Sequence, residues 1–249
     1  MPAVRSAPSA IDRLLKPLHR WIWVDAHRRA RKLLRFAETE ADGGRDLSRA
    51  AELTADPLLR RLYLRHAQDE MRHADLFRAR GRALLQRLPH RVAGIDANWI
   101  APGERGLDDL RVEVQGEGTL LAFLHLSEKA AAGRFALYEE VLDCDTETRA
   151  LFARILEDEA FHMTYTRKQL ARLSPRKQGM DLWQARAVRV WKAYLRLAMA
   201  LASALGAVVL TAQYFIVLPL FALLARRAAN REPQGFVRTR SAPGLESQY

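Results

Sequence analysis

The sequence predicts an all-α protein: a four-helix bundle with one long crossover connection, followed by a long hydrophobic helix at the C-terminal end. Three observations support this. Apolar residues recur at helical spacing along most of the chain, no stretch shows strand-like alternation or an Asn-Gly hairpin turn, and residues 197–225 carry no charge. The 249 residues, 49% of them hydrophobic, are enough to bury a sizeable core.

The first helix is predicted to begin at Ser9, because Ser9 and Asp12 form a capping box, and to run to about residue 51. Pro17 is tolerable because it lies near the start of the helix. The pair Gly43-Gly44 is expected to interrupt this helix before the helical pattern resumes.

The second helix is predicted to begin at Asp56-Pro57, where an N-cap residue precedes a proline at the first helical position, and to stop at Pro89. Residues 89–107 contain three glycines and two prolines with little periodicity, which indicates a loop. This long connection is the crossover of the predicted bundle.

Three further helices follow. The third covers about residues 109–142, the fourth runs from near Asp145 to just before Ser174, and the fifth begins near Asp181 and continues into the charge-free run. The expected organisation is an N-terminal tail over residues 1–9 and the bundle over residues 10–173. An amphipathic linker with a transmembrane helix follows over residues 174–229, and a basic, disordered tail over residues 230–249.

The charge balance leaves two classes of partner to consider. Lys and Arg number 40 against 29 Asp and Glu, a formal net charge of +11, which suits nucleic acid or an anionic membrane face. Zinc-finger spacing, an aromatic ribonucleoprotein signature and a basic-zipper heptad are all missing, so no nucleic-acid partner is expected. The single cysteine, Cys144, excludes an internal disulfide framework and any cysteine-based metal knot.

The charge-free run is long enough to cross a bilayer, since about 20 apolar residues span its hydrocarbon core. The alternative is a central helix buried inside a soluble protein. The N-terminal segment has no apolar region typical of a signal peptide, so we expect a single-pass membrane protein with the bundle on the cytoplasmic side. Arginines flank the run at both ends, so counting positive charges does not determine the orientation.

Two segments share the pattern Asp-Glu-x-x-His, at residues 69–73 and 158–162. Glu and His three residues apart project from the same face of a helix, where a carboxylate and an imidazole can bind one metal ion. The candidate ligands from these segments are Glu70, His73, Glu159 and His162.

A further carboxylate precedes each segment at nearly the same distance. Glu128 lies 31 residues before Glu159, and Glu40 and Glu38 lie 30 and 32 residues before Glu70. Both halves of the bundle therefore contain a Glu on one helix and Glu-x-x-His on the next, which indicates a repeated helical hairpin.

The choice between Glu38 and Glu40 depends on which face each occupies. Glu40 is at helical spacing from apolar or small residues, as Glu128 is, whereas Glu38 is at helical spacing mostly from charged residues. An ionised carboxylate on an apolar stripe is costly unless it is paired or metal-bound. We therefore favour Glu40 and keep Glu38 as the alternative. The competing interpretation, solvated surface charges in a fortuitous repeat, has to explain Glu128 in an almost apolar stretch.

The order Glu, Glu-x-x-His, Glu, Glu-x-x-His resembles the ferritin-like di-iron carboxylate superfamily over residues 10–173. The resemblance implies two irons, with manganese or a mixed pair as an alternative. In this resemblance Glu40 and Glu128 would be terminal ligands, and Glu70 and Glu159 would bridge the two irons. His73 and His162 would each provide one imidazole to one iron. Asp69 and Asp158 resemble carboxylates that accept the spare ring N–H of the opposite histidine.

This resemblance has limits within the superfamily. One cysteine is too few for the cysteine-ligated iron domain of rubrerythrins, and a hydrophobic C-terminal helix would obstruct the soluble shell of storage ferritins. The membrane-associated hydroxylases of ubiquinone biosynthesis share the two-hairpin order only. His66 and His125, near Glu70 and Glu128, are expected to be ordinary partly exposed or hydrogen-bonded histidines, with a role around the ligands as the alternative.

A di-iron site and a membrane helix on one chain lead us to expect an O₂-dependent oxidoreductase that hydroxylates or desaturates a lipophilic substrate, a quinone or an acyl lipid. The expected partners are membrane lipid, O₂ and an electron donor, and a homodimer is left open. The alternatives are a membrane-tethered ferroxidase and a non-enzymatic helical adaptor whose metal site is structural.

Overall fold

The computed structural model describes residues 6–88 and 116–230, which are helical with no β-strand, as the sequence predicts. The helices are α1 Ala10–Leu14, α2 Lys16–Val24, α3 Ala26–Leu53, α4 Pro57–Gln86, α5 Glu117–Val141, α6 Thr146–Leu173, α7 Gln178–Ala212 and α8 Leu218–Ala229, with a π-helical turn Gln213–Val217 between the last two. The expected loop at 89–107, the first residues of the predicted third helix and the expected C-terminal tail lie outside the described residues.

Three of the predicted helix starts are confirmed by their caps. The Ser9 hydroxyl accepts a hydrogen bond from the backbone N–H of Asp12. The Asp56 and Asp145 carboxylates accept from backbone N–H groups two or three residues later. Such bonds satisfy donors that the first helical turn leaves without a partner.

The prediction of one continuous first helix is wrong, because the chain forms α1, α2 and α3 with breaks at Leu15 and Asp25. Pro17 lies in the first turn of α2, where its missing N–H is tolerated. Asp25 has extended backbone angles, and its carboxylate caps α3. The second break accompanies burial of the Trp23 side chain, which is fully enclosed in the core.

The expected interruption at Gly43-Gly44 is also wrong, because α3 continues through both residues. Gly44 is instead a point of close helix approach. A Cβ atom there would lie 3.1 Å from Met71 Sδ and 3.2 Å from the Ala67 carbonyl oxygen of α4. The missing side chain therefore lets α3 pack closely against α4.

Two hairpins, α3–α4 and α5–α6, make up the bundle, and α2 packs on α3 and α5. Their buried side chains form two core clusters. The first cluster includes Tyr63, Leu121 and Tyr165, and the second includes Phe77 and Phe152. Along each of the helices α3, α4 and α5, residues of one cluster are followed by residues of the other, and a glutamate stands between them. These glutamates are Glu40 on α3, Glu70 on α4 and Glu128 on α5.

The chain divides into two compact units, Met1–Lys192 and Ala193–Tyr249. Among the described residues, one helical stretch, Gly179–Ala229, is long and apolar enough to cross a membrane. Its most apolar part has a mean hydropathy of 2.2 and is not buried at all. The alternative of a buried central helix is therefore not supported, since such a helix would be mostly enclosed by protein. The π-helical turn in this stretch ends two residues before Pro219, which cannot donate a backbone hydrogen bond.

Candidate metal centre

Two overlapping groups of side chains meet inside the bundle, and within each group the candidate ligand atoms lie within 4.8 Å of one another. The groups are Glu40, Glu70 and His73, and His66, Glu70, Glu128 and His162. Glu70 belongs to both. The remaining residue of the expected ligand set, Glu159, lies beside them, with its carboxylate oxygens 3.7 Å from His162 Nδ1 and 4.0 Å from His73 Nδ1.

The centre is almost closed to solvent. Its three imidazoles are 0% exposed, Glu159 is 1% exposed, Glu70 and Glu128 are buried, and only Glu40 is partly exposed. Ionisable groups in such surroundings interact strongly, because little water is present to screen them.

Each histidine of the two Glu-x-x-His segments is held by an aspartate from the other hairpin. His73 Nε2 donates to Asp158 Oδ2 over 3.0 Å, and His162 Nε2 donates to Asp69 Oδ2 over 3.2 Å. Arg72 lies 2.7 Å from Asp69 and 2.9 Å from Asp158, so one guanidinium holds both carboxylates. These are the two pairings that the resemblance implies. They assign the proton to Nε2 and leave Nδ1 of each ring facing inward.

The two aspartates are held in their ionised form. The hydrogen bond from His73, with help from Arg72, lowers the pKa of Asp158 to about 2 against the opposing effect of burial. For Asp69 burial opposes ionisation most, but the hydrogen bonds from His162 and Arg72 together lower its pKa. Both carboxylates therefore remain hydrogen-bond acceptors at neutral pH.

Several polar atoms that face the centre have no hydrogen-bond partner among the described residues. They are Glu70 Oε2, His73 Nδ1, Glu159 Oε2 and His162 Nδ1, all buried. Leaving a buried polar atom without a partner costs about 1–3 kcal/mol. Since all four are electron-pair donors, cations at this position would satisfy them together, and the donor set fits a metal centre.

The four carboxyl groups of the centre cannot all be ionised in the absence of cations. Burial is the main cause that raises the pKa of Glu40, Glu70, Glu128 and Glu159, in the last case to about 8. Neighbouring carboxylates raise these pKa values further. Glu40 interacts most strongly with Glu70, and Glu128 with Glu159, so the repulsion within each pair is smallest when the pair binds a proton. Metal ions would replace those protons.

His66 lies much closer to the candidate ligands than the sequence predicts. Its Nε2 atom is 2.9 Å from Glu70 Oε1 and 3.5 Å from Glu128 Oε1, and its ring stacks on His162 at 3.6 Å. Nδ1 is 2.7 Å from the Tyr165 hydroxyl, which can donate or accept and so permits either ring tautomer. His66 therefore faces the centre with a nitrogen that can bind a metal. The spacing His-x-x-x-Glu-x-x-His on one helix face is the signal that could have found it.

Of the other candidate residues, Glu40 faces the centre, and Glu38 and His125 do not. Glu40 faces the centre, whereas Glu38 accepts a hydrogen bond from Arg78 at 3.2 Å, as the apolar stripe predicts. His125 lies 3.1 Å from the backbone oxygen of Met163 and takes no part in either ligand group.

Comparison of the chain with protein-family models, curated proteins and solved structures finds no match.

Replacing Asp158 should weaken metal binding without removing a ligand. In Asp158→Ala, His73 loses the acceptor that orients its ring, and we expect metal affinity to fall by about 10–100-fold. Competition with a chelating indicator measures this. Glu157→Ala, which removes the exposed neighbouring carboxylate, is the matched control and should bind as the unaltered protein does. Equal affinity in both variants would show that the pairing has no effect on binding.

Proposed function

We propose that this chain is a ferritin-like, membrane-anchored di-iron oxidoreductase that uses O₂ to hydroxylate or desaturate a lipophilic substrate of the quinone or acyl-lipid class. The observation that carries the proposal is the position of Glu70 in two adjoining groups of candidate ligands. Each group contains a histidine whose inward nitrogen has no hydrogen-bond partner within the described part of the chain. Carboxylate oxygens combined with imidazole are a donor set that suits iron or manganese.

The residues that would hold the two ions follow from the two groups. Glu40 and His73 would serve one ion, His66, Glu128 and His162 the other, and Glu70 and Glu159, which lie close to both histidines, would be shared. Two irons held by these residues would supply the redox chemistry for O₂-dependent substrate oxidation, with an electron donor to reduce them again.

The chain's own side chains have three tasks around such a pair. Asp69 and Asp158 keep the histidine rings in the tautomer whose free Nδ1 faces inward. The two core clusters exclude water on either side of the ligands. The Tyr165 hydroxyl is hydrogen-bonded to His66 Nδ1 over 2.7 Å, which would hold the His66 ring with Nε2 toward the centre.

A lipophilic substrate is favoured by what surrounds the ligands. The carboxylates lie between two apolar clusters, and the same chain carries a stretch apolar enough to cross a membrane. The net charge of +11 favours an anionic lipid surface. We place the bundle on the cytoplasmic side of a single span.

A chain that ends at Arg196 should no longer need detergent for extraction, because the proposed span is then missing. A high-salt wash should release it from the membrane, since salt screens any remaining surface contact, and it should keep its metal because the ligands remain. Sedimentation of lysed cells at high speed, followed by metal analysis, measures this. A chain that ends at Asn230 keeps the span and should stay in the membrane pellet. If the unaltered protein remains in the supernatant without detergent, the apolar stretch has another role.

Oxygen consumption tests the proposed reaction. The protein is loaded anaerobically with iron, mixed with an electron donor and a membrane-lipid extract, and then given O₂. We expect uptake beyond the amount of bound iron, together with oxidised lipid in the extract. Glu40→Ala should abolish this uptake, whereas Glu38→Ala, which removes the neighbouring carboxylate, should retain it.

Two other outcomes would replace this proposal. Uptake that follows only added Fe²⁺, with no lipid modified, would indicate a ferroxidase. Stable metal binding with no uptake under any condition would indicate a structural metal site in a helical adaptor.

A further inference from the structure

The α1–α2 segment directs its apolar side chains away from the bundle, opposite to a helix on the surface of a soluble domain. Its large apolar side chains point outward: Ile11, Leu14, Leu15, Leu18 and Trp21 are between 40% and 79% exposed. They recur at helical spacing on one side, which we call the outer face. A surface helix of a soluble domain directs its apolar side to the core.

The opposite side of the segment is attached to the bundle through polar groups and one tryptophan. Lys16 forms an ion pair with Glu140, and the His19 ring packs edge-on against Tyr138 at 5.3 Å. Trp23 is fully buried in the second core cluster. These contacts hold the segment in place, so the outward direction of the apolar side chains follows from its packing.

A basic border accompanies the outer face. Residues 10–32 contain seven Lys and Arg but only two Asp and Glu. Lys16 is paired with Glu140 and Arg29 is buried against Asp145, whereas Arg13, Arg20 and Arg31 are exposed. The Arg28 guanidinium lies 3.7 Å above the Trp21 ring and donates to the Trp21 carbonyl oxygen. An exposed tryptophan beside an arginine is typical of helices that lie in the headgroup region of a bilayer.

A second copy of the chain fits this face less well than lipid does. A helix of this length is about 22 Å long and about 10 Å wide, which gives a contact of roughly 200–300 Å². A stable protein interface needs about 800 Å² from each partner. A bilayer has no such requirement, because it surrounds the apolar side chains and its anionic headgroups attract the basic border.

We propose that α1–α2 lies flat in the interface of an anionic bilayer, with the outer face in the acyl region. This would be a second membrane contact, separate from the Gly179–Ala229 stretch, and it would hold the end of the bundle that contains the second core cluster at the lipid surface. The proposal rests on the membrane association in the proposed function and is independent of the metal chemistry.

Site-specific fluorescence in the full-length chain tests this contact. In a Cys144→Ser background, Leu18→Cys is labelled with an environment-sensitive dye and reconstituted into vesicles of phosphatidylcholine and phosphatidylglycerol, with or without a nitroxide quencher near the headgroups. Arg20→Cys is the matched control, since Arg20 is exposed on the same helix about 160° away from Leu18. Circular dichroism checks that both labelled proteins are folded, and flotation records membrane association separately.

We expect blue-shifted emission and about twofold quenching by the nitroxide lipid at Leu18, with little of either at Arg20. Water-like emission at Leu18 in protein that floats with the vesicles would overturn the interfacial contact while the membrane anchor stands. Blue-shifted emission without lipid quenching would also overturn it, because a second copy would then cover the face. Protein that does not float would overturn both this contact and the membrane association of the proposed function.

Discussion

A chain that carries both Glu70→Ala and Glu159→Ala is expected to retain essentially no iron, whereas the unaltered protein should bind about two irons. Glu70 belongs to both ligand groups, and Glu159 lies within 4.0 Å of two histidines. Removing both would leave each ion without its shared carboxylates. Anaerobic loading, desalting and elemental analysis of iron per chain measure the loss.

Two single variants provide the matched control for this experiment. Glu40→Ala should reduce iron binding, because Glu40 faces the centre, and Glu38→Ala should not, because Glu38 is paired with Arg78. The variants remove the same side chain two residues apart on α3. Full iron binding in the double variant, or one zinc per chain in place of iron, would contradict the assignment.

Metal-free protein is expected to be more stable at pH 5 than at pH 8, and the ligand carboxyls are the cause. Burial raises the pKa of Glu159 from its ordinary 4.5 to about 8, so between these values the folded chain holds a proton that the unfolded chain releases. The stabilisation is therefore complete below about pH 4.5 and is lost as the pH rises through 8. For this group alone it amounts to at most roughly 5 kcal/mol.

Thermal unfolding of the metal-free protein in detergent measures this effect. We expect the midpoint to be about 10 °C higher at pH 5 than at pH 8. Below about pH 4 the trend should reverse, because Asp158 is protonated near pH 3.8 in the unfolded chain but only near pH 2 in the folded chain, so its contribution is lost as the pH falls through 2. Glu70→Gln/Glu159→Gln should reduce the difference between pH 5 and pH 8, with Glu40 and Glu128 sustaining the remainder, whereas Glu38→Gln should preserve it. A midpoint that rises with pH in the unaltered metal-free protein would contradict the raised pKa values.

Bound metal should change the sign of this dependence. Cations require the ionised carboxylates, so acid pH weakens binding and alkaline pH strengthens it. The same unfolding experiment on iron-loaded protein therefore separates the carboxyl groups of the centre from ionisable groups elsewhere in the chain.

Features that depend on near neighbours in the chain could be predicted from the sequence. The helix starts at Ser9, Asp56 and Asp145 were correct because a cap bonds to backbone only two or three residues away. The different positions of Glu40, beside the other candidate ligands, and Glu38, paired with Arg78, could be predicted for a similar reason. Helical periodicity alone determines which of two nearby carboxylates shares a face with apolar residues.

Features that depend on distant residues were missed. The break at Asp25 accompanies burial of Trp23 against side chains from α5 and α6, which no local pattern encodes. Gly44 looked like an interruption because its packing partner, Met71, belongs to another helix. His66 looked ordinary because its contacts with Tyr165 and His162 join residues almost a hundred positions apart.

The sequence by itself determined that the protein is helical, that two Glu-x-x-His segments each present a carboxylate and an imidazole on one helix face, and that one stretch is apolar enough for a membrane. These properties follow from spacing along a helix, which is local. Only the tertiary structure decided that Glu70 lies between two ligand groups, that His66 faces them, and that the apolar side of α1–α2 points outward. Each of these depends on which helix packs against which, and that is decided by side-chain volume and burial across the whole bundle.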